Sequence, residues 1–258
     1  MELPLFPLHT VLCPGIALPL HIFEDRYREL VRHCIDTSSP FGIVLIRDGR
    51  EVGGGSISFS AIGTIAEIRQ AGRHPDGRYD LLVVGTGRFA ITDVTAGERP
   101  YLVAEATVIE DRVDDEEEAR RLANRATRRF VSYLELLQPR EGETSEEIDI
   151  RVEVETEDVM PPGEGGEEGD EPSEPEATMG DPATERRVVI PDDPTTLSHL
   201  LAGIIQVELP RRQALLEAET TEDRLRELVS LIERETWLLR RRLRAFLPGA
   251  TGLGPRGS

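Results

Sequence analysis

Five side chains of types that can hold zinc fall within the first 34 residues: His9, Cys13, His21, His33 and Cys34. Structural zinc sites take paired ligands at short, fixed spacings within loops. These five are irregularly spaced, and the pattern around them is that of strands and a helix. Packing thiols and ordinary histidines are the better reading, and no metal is expected. A second candidate is Gly85-x-Gly87-x-x-Ala90, which follows an apolar run and formally matches a dinucleotide fingerprint. That chemistry needs a helix to start at the glycines, so that a pyrophosphate meets its N-terminus. Phe89–Val94 reads instead as another strand and the glycines as a turn, so no cofactor is expected. No G-x-S-x-G nucleophile elbow occurs, and Glu24, Asp25 and Glu29 read as a solvated helix face. All 30 basic residues are arginine. Any mechanism that needs a lysine within these 258 residues is excluded.

The elements that would carry such residues begin with an unusual opening. Pro4, Pro7 and Pro19 each precede a leucine or stand among apolar residues. Proline cannot donate to a sheet ladder and is confined to edges, starts and bulges. Leu3–Leu8 is therefore predicted as an edge strand, Pro14-Gly15 as a turn, and Ala17–Ile22 as a second extended piece. From Phe23 the period becomes helical, with Tyr27, Leu30, Val31, Cys34 and Ile35 on one buried face. Short β-rich runs follow at Phe41–Ile46, Ser56–Phe59, Gly63–Arg69, Tyr79–Gly85, Arg88–Val94 and Tyr101–Ile109. Turn signals separate them at Asp48-Gly49 and at Pro75-Asp76-Gly77. Six or seven short strands and one helix predict a mixed sheet curled into a small barrel.

From Glu116 a helical period returns, with Ala119, Leu122, Ala123, Ala126, Phe130, Tyr133, Leu134 and Leu137 sharing a face. Acids at Asp114–Glu118 favour its N-terminus. Three more helices are expected after Asp193, which should cap the first of them, with Pro194 in its opening turn. Thr220-x-x-Asp223 resembles a capping box and starts the longest helix. Leu225, Leu228, Val229, Ile232, Trp237, Leu239, Leu243 and Phe246 are expected inside. The organisation is an α+β chain: a barrel over 1–112, a helix within 113–139, an acidic insert over 140–190, a three-helix segment over 191–248 and a loose tail over 249–258.

The net charge of −19 is concentrated. Residues 141–182 hold seventeen Asp or Glu against one Arg, net −16, which leaves −3 for the rest. A segment of acids, glycine and proline without periodicity buries too little apolar area to offset an ordering entropy of about 1–2 kcal/mol per residue. Disorder is expected there, as a solvating spacer. Two cysteines without a C-x-x-C motif suggest free thiols in a reducing compartment. Met1-Glu2 opens with no basic or apolar leader and no apolar run reaches eighteen residues, so a soluble cytoplasmic protein is expected, with no membrane partner.

The opening Leu3-Pro4-Leu5-Phe6-Pro7-Leu8, with Pro14-Gly15, Leu18-Pro19-Leu20-His21-Ile22-Phe23-Glu24 and Arg26-Tyr27, resembles the N-terminal substrate-binding domain of Lon proteases, especially free-standing bacterial relatives. Gly85-Thr86-Gly87-Arg88-Phe89, Pro100-Tyr101-Leu102, and the stretch from Asp193-Pro194 to Leu238-Leu239 agree with it. The resemblance covers roughly 1–137 and 192–247. It implies a PUA-like β pseudobarrel with one helix, followed by an α-helical bundle. Two departures stand out: the acidic insert where a short loop is usual, and Asp25 where proline is common. Complete Lon enzymes add a P-loop ATPase and a serine–lysine protease, and the lysines both require are absent here.

The resemblance therefore implies a non-catalytic module that recognises polypeptides, and it is compatible with presenting them to a separate protease or chaperone. His21, Glu24, Arg26, Tyr27 and Arg88 are the candidate partner-binding residues, being polar members of the family motif near the strand-to-helix switch. A buried Arg88–Glu24 pair is the structural alternative. The rival function is RNA binding by the PUA-like barrel, which would need a basic or aromatic-lined surface. Arg47, Arg69, Arg73, Arg78 and Arg88 are the residues available for one, but the barrel is nearly neutral, and nucleic acid is the less favoured partner.

Overall fold

A computed structural model describes residues 1–48, 58–95, 97, 99–137, 150–154 and 186–246. In chain order the strands are β1 (Glu2–Leu8), β2 (Ala17–Ile22), β3 (Phe41–Asp48), β4 (Ser58–Phe59), β5 (Ile62–Arg73), β6 (Tyr79–Thr95) and β7 (Val103–Ile109). Helix α1 (Asp25–Thr37) lies between β2 and β3, and α2 (Glu116–Leu137) follows β7. The order β1-β7-β6-β5-β3 closes on itself because β3 also pairs with β1, in parallel, Leu5 opposite Gly42 and Leu8 opposite Leu45. β4 hangs on the far end of β3, and among the described residues β2 pairs with β6 alone. The architecture is α+β, a β pseudobarrel followed by a helical bundle.

The opening strand is not at an edge. β1 lies between β3 and β7, and its prolines are placed by the alternation of backbone donors. Leu5 N–H donates to Leu102 O at 2.8 Å, on the β7 side. Pro4 therefore faces β3 just before that pairing begins at Leu5, and Pro7 faces β7 beyond the paired residues. Each missing N–H falls where no partner carbonyl waits. The edge rule does hold for β2, whose Pro19 stands in a strand with a neighbour on one side only.

Gly85-Thr86-Gly87 is not a turn. β6 runs through it as one strand of 17 residues. Against β5, Ile65 pairs with Gly87 and Ala66 with Gly85, so Thr86 is the extra residue of a bulge. Before the bulge β6 pairs with β5 and β2; beyond it, with β5 and β7. Gly85 is required by close backbone approach. It exchanges hydrogen bonds with the Pro14-Gly15 turn (Gly15 N to Gly85 O 2.8 Å, Gly85 N to Ile16 O 3.1 Å), and a Cβ there would lie 2.6 Å from Cys13 O.

Helix α1 buries Tyr27, Leu30, Val31 and Cys34 against Phe6, Ile22, Phe41, Leu81 and Val83. Ile35, expected on that face, is 41% exposed. The helix ends at Ser38, whose left-handed φ of 51° lets its N–H reach back to the last turn. Inside the barrel, Leu3, Leu5, Val44, Phe89, Ala104 and Ala106 form a separate cluster.

The bundle adds α3 (Pro194–Ile204), α4 (Leu209–Glu217) and α5 (Thr221–Phe246) to α2. Asp193 caps α3 by accepting from Thr196 N–H at 2.7 Å, and Thr220 Oγ1 accepts from Asp223 N–H at 3.1 Å. The packed face of α2 (Ala123, Ala126, Phe130, Tyr133, Leu134) meets Leu225, Leu228, Val229 and Ile232 of α5. Each fully buried Leu or Ile stabilises by roughly 1.5–3 kcal/mol relative to exposure. Val11, Cys13 and Leu45 of the barrel belong to the same cluster, so the core is continuous across the expected boundary at residue 112. Trp237 departs from expectation: it is 57% exposed, beneath the Arg241 guanidinium at 5.4 Å. The side chains of Leu243 and Phe246 lie outside the described residues.

Within the stretch expected to be disordered, Ile150–Val154 (β8) and Arg186–Ile190 (β9) form a parallel pair. The rest of 140–190, Gly49 of the expected Asp48-Gly49 turn and the tail 249–258 lie outside the described residues. No helix among the described residues is long and apolar enough to cross a membrane.

Candidate functional site

The five residues singled out in the sequence fall in two places. His21 is the penultimate residue of β2, directly opposite Asp80 of β6. Glu24 occupies the N-cap position of α1 but does not cap it with its side chain; its carboxylate instead accepts from Arg26 Nε and Nη2 at 3.0 and 2.9 Å. The Arg26 guanidinium lies 4.5 Å from the centre of the Tyr27 ring, and that ring is buried edge-on against Phe6 at 4.3 Å. Phe23, between His21 and Glu24, is 62% exposed. The strand-to-helix switch thus shows solvent one aromatic ring, one guanidinium and one imidazole.

A hollow of about 160 Å³ opens beside this switch, lined in part by Pro7, Arg26, Tyr27, Arg99, Pro100 and Tyr101. A second, of about 370 Å³, shares Arg99, Pro100 and Tyr101 and continues along α1 past Glu29, Arg32, His33 and Asp36. Arg99 Nη1 donates to Tyr101 Oη at 2.9 Å, which fixes the wall common to both. Together they make a trough lined by guanidiniums, aromatic rings and proline.

Arg88 is elsewhere. It lies eight residues past Asp80 on the same bent strand, roughly 26 Å of extended chain. It is 1% exposed and faces the bundle. Its partner is not Glu24. Nη1 donates to Leu216 O at 2.9 Å and Ala218 O at 2.8 Å, the carbonyl end of α4, where a cation is favoured by the exposed C=O groups. Nη2 sits 2.8 Å from Asp111 Oδ1. The same oxygen accepts from Arg224 Nη2 at 2.9 Å, and Asp111 Oδ2 lies 3.0 Å from His199 Nε2. Arg224 also donates to Leu215 O and Ser198 Oγ. One carboxylate therefore joins strand β6 to helices α3 and α5, and its two arginines carry the link on to the carbonyl end of α4.

The charges in this seam follow from burial. Burial alone would push the Asp111 carboxyl up, but the hydrogen bond and charge interactions of His199, Arg224 and Arg88 hold it well below the usual carboxylate range. Burial pushes His199 down, Arg224 and Arg88 act in the same sense, and the bond to Asp111 only partly offsets them. His199 is then neutral near pH 7, with its proton on Nε2 facing Asp111. Arg88 is thus a positioning residue of the seam, and the signal that would have found its partner, 23 residues on, is absent from local sequence.

The arginines considered for RNA are mostly neutralised. Arg47 faces Glu217 at 2.9 Å, Arg69 faces Glu67 at 3.2 Å and Arg78 faces Asp76 at 2.6 Å, while Arg88 is buried. Cys13 and Cys34 are both buried, in different clusters. The early His and Cys residues do not gather. His21 instead meets His74, in the β5–β6 turn, through Asp80.

A sequence profile of the ATP-dependent protease La (LON) substrate-binding domain matches residues 2–234. The chain belongs to the Lon substrate-binding domain family. Among its relatives, the Lon protease of Anaeromyxobacter dehalogenans is 31% identical over 118 residues, 45% of this chain and 14% of that protein. The Lon protease of Escherichia coli K12 is 22% identical over 240 residues, 93% of this chain and 25% of that protein. This chain thus spans a quarter or less of the length of these Lon proteases. The fold matches a Lon N-terminal domain protein from Xanthomonas campestris (TM-score 0.54, 24% identity, 96% of this chain and 99% of that one). It also matches the N-terminal domain of a Mycobacterium avium complex Lon protease (TM-score 0.57, 17% identity, 90% and 98%). The family domain is the one that binds substrate.

Proposed function

We propose that this chain is a non-catalytic polypeptide-recognition module that delivers bound chains to a separate partner, a protease or a chaperone. The observation that carries the reading is the substrate-binding family match over residues 2–234. The trough along α1 is where an extended segment would lie: Arg32 offers donors to carbonyls and acidic side chains, Arg26 and Arg99 are already held by Glu24 and Tyr101 and add positive charge beside it, and Tyr27, Tyr101 and Pro100 offer apolar walls. The absence of lysine from the 258 residues supports a role without ATPase or serine–lysine chemistry in this chain. The two buried, unpaired thiols favour a reducing compartment such as the cytoplasm.

The test is the anisotropy of a fluorescently labelled, permanently unfolded polypeptide titrated with the full chain. Saturable binding is expected, weakened at least about fivefold in the double variant Arg26→Ala, Arg32→Ala, the loss typical of interface residues that matter. No binding by the wild type, or equal binding by a folded double variant, would overturn the reading. A labelled single-stranded RNA runs in parallel. Binding to it that falls steeply with salt would favour the nucleic-acid alternative.

A further inference from the structure

We propose that His21, His74 and Asp80 form a binding site for one divalent ion of the zinc class. The three come from separate places in the chain: His21 from the end of edge strand β2, His74 from the turn after β5, and Asp80 from β6. Their ligand atoms all lie within 4.8 Å of one another. Asp80 Oδ1 is 2.6 Å from His21 Nδ1, and Asp80 Oδ2 is 2.6 Å from His74 Nε2. Two imidazole nitrogens and a carboxylate are the donor set favoured by zinc and its neighbours and little suited to magnesium or calcium.

The fold supplies the placement. The register of β2 on β6 sets His21 opposite Asp80, so the two side chains share a face of the sheet. The tight turn Pro75-Asp76-Gly77 brings His74 back beside them; His74 N–H donates to Arg78 O at 2.9 Å, and Gly77 takes a φ of 86°. All three side chains are between 41% and 57% exposed. Without an ion, each ring donates one N–H to the carboxylate. With an ion about 2.0–2.2 Å from each ligand atom, the nitrogen–oxygen separations open to about 3.0–3.4 Å. Rotation of exposed side chains accommodates that change.

One neighbour must move: an ion on His21 Nδ1 puts the ring proton on Nε2, so Arg78 Nη1, which donates to that nitrogen at 3.5 Å, has to swing away, as its half-exposed side chain allows, while its Nε stays held by Asp76 Oδ2 at 2.6 Å. Arg28 is engaged by Asp25 and by Asp76 O. Three protein ligands leave a fourth position open toward solvent, as in zinc sites that take up a further ligand. A bound ion would clamp the edge strand to the β5–β6 turn. The inference stands independently of the polypeptide-recognition reading.

Calorimetric titration of untagged full-length chain with zinc chloride tests it, with magnesium chloride as the control. One equivalent of zinc should bind, magnesium should not compete, and zinc should raise the melting temperature. His74→Ala and Asp80→Asn should each weaken that equivalent at least about tenfold, the smallest loss expected even of an outer-shell partner. Both variants change exposed side chains, and circular dichroism checks that they are folded. No stoichiometric zinc binding by the wild type would overturn the proposal. So would binding that survives in both variants, which would assign zinc to the acidic 141–182 stretch or to other histidines.

Discussion

Asp111→Asn would leave two guanidiniums facing each other in the seam with their counter-charge removed. Arg88 and Arg224 are 1% and 0% exposed, so water cannot replace the lost carboxylate. Their Nη2 atoms sit 2.8 and 2.9 Å from the same Asp111 oxygen. At an effective dielectric of about 20, charges about 4 Å apart attract by about 4 kcal/mol per pair. Desolvation of the ions and the repulsion between the two arginines cancel part of this. Removing one member of a buried ion pair costs about 3–5 kcal/mol, because the other charge stays buried. For a chain of this size that is a fall of roughly 6–20 °C in melting temperature. Calorimetry and urea unfolding of the two proteins at neutral pH measure it. A loss under about 1 kcal/mol, the scale of an exposed ion pair, would refute the reasoning. It would mean that the side of Asp111 open to solvent screens both arginines.

The same seam fixes the sign of a pH effect. His199 has its pKa lowered by folding from the ordinary 6.5, so below that pH the unfolded chain binds a proton that the folded chain refuses, and stability falls as pH falls. Urea midpoints should decline between neutrality and mild acid, and His199→Gln should flatten that limb. Asp111, also lowered, contributes stability above the ordinary 3.8 that is lost only in stronger acid. Gly85→Ala should cost about 1–3 kcal/mol, as overpacking does, because its Cβ would meet the Cys13 carbonyl; the urea midpoint reads it. Burial pushes both cysteine thiols up to about 11. Neither should react with a disulfide reagent at mildly alkaline pH until the protein unfolds, and Gly85→Ala should release Cys13 first. The lone tryptophan, exposed beside Arg241, should be quenched by acrylamide in the native state nearly as well as in urea.

Elements with a clear period could be read from sequence, and connections through space could not. α1, α2 and the three late helices follow the apolar spacing, and Asp193 and Thr220 cap where their chemistry says. The same spacing misleads at Ile35 and Trp237, because a helix face wider than its partner surface leaves its flanks in water. Proline misplaced β1 because the edge rule concerns one N–H at a time. A central strand tolerates proline where that N–H points past the end of a ladder. Glycine misplaced β6 for a related reason: Gly85 serves a close approach to the Cys13 carbonyl, not a reversal. Among the candidate residues, Glu24, Arg26 and Tyr27 were legible as neighbours because they are close in sequence. Asp111, Arg224 and His199 around Arg88 were not, since nothing local marks a buried counter-ion. His74 and Asp80 flank a turn that composition identified. Their meeting with His21 depends on the β2–β6 register, which composition does not encode.

The closure of the barrel by β1 also sets a timetable for biosynthesis. β1 buries five consecutive residues, Leu3–Pro7, and its neighbours are β3 and β7. The farther of these is completed only at Ile109, roughly 100 residues after β1, which at ordinary ribosomal speeds is on the order of 5–20 s. For that interval an apolar segment has no finished barrel to enter. The prolines that fit β1 to its ladder also make it a poor template for pairing with a stray strand, so the nascent chain carries its own protection against misassembly while it waits.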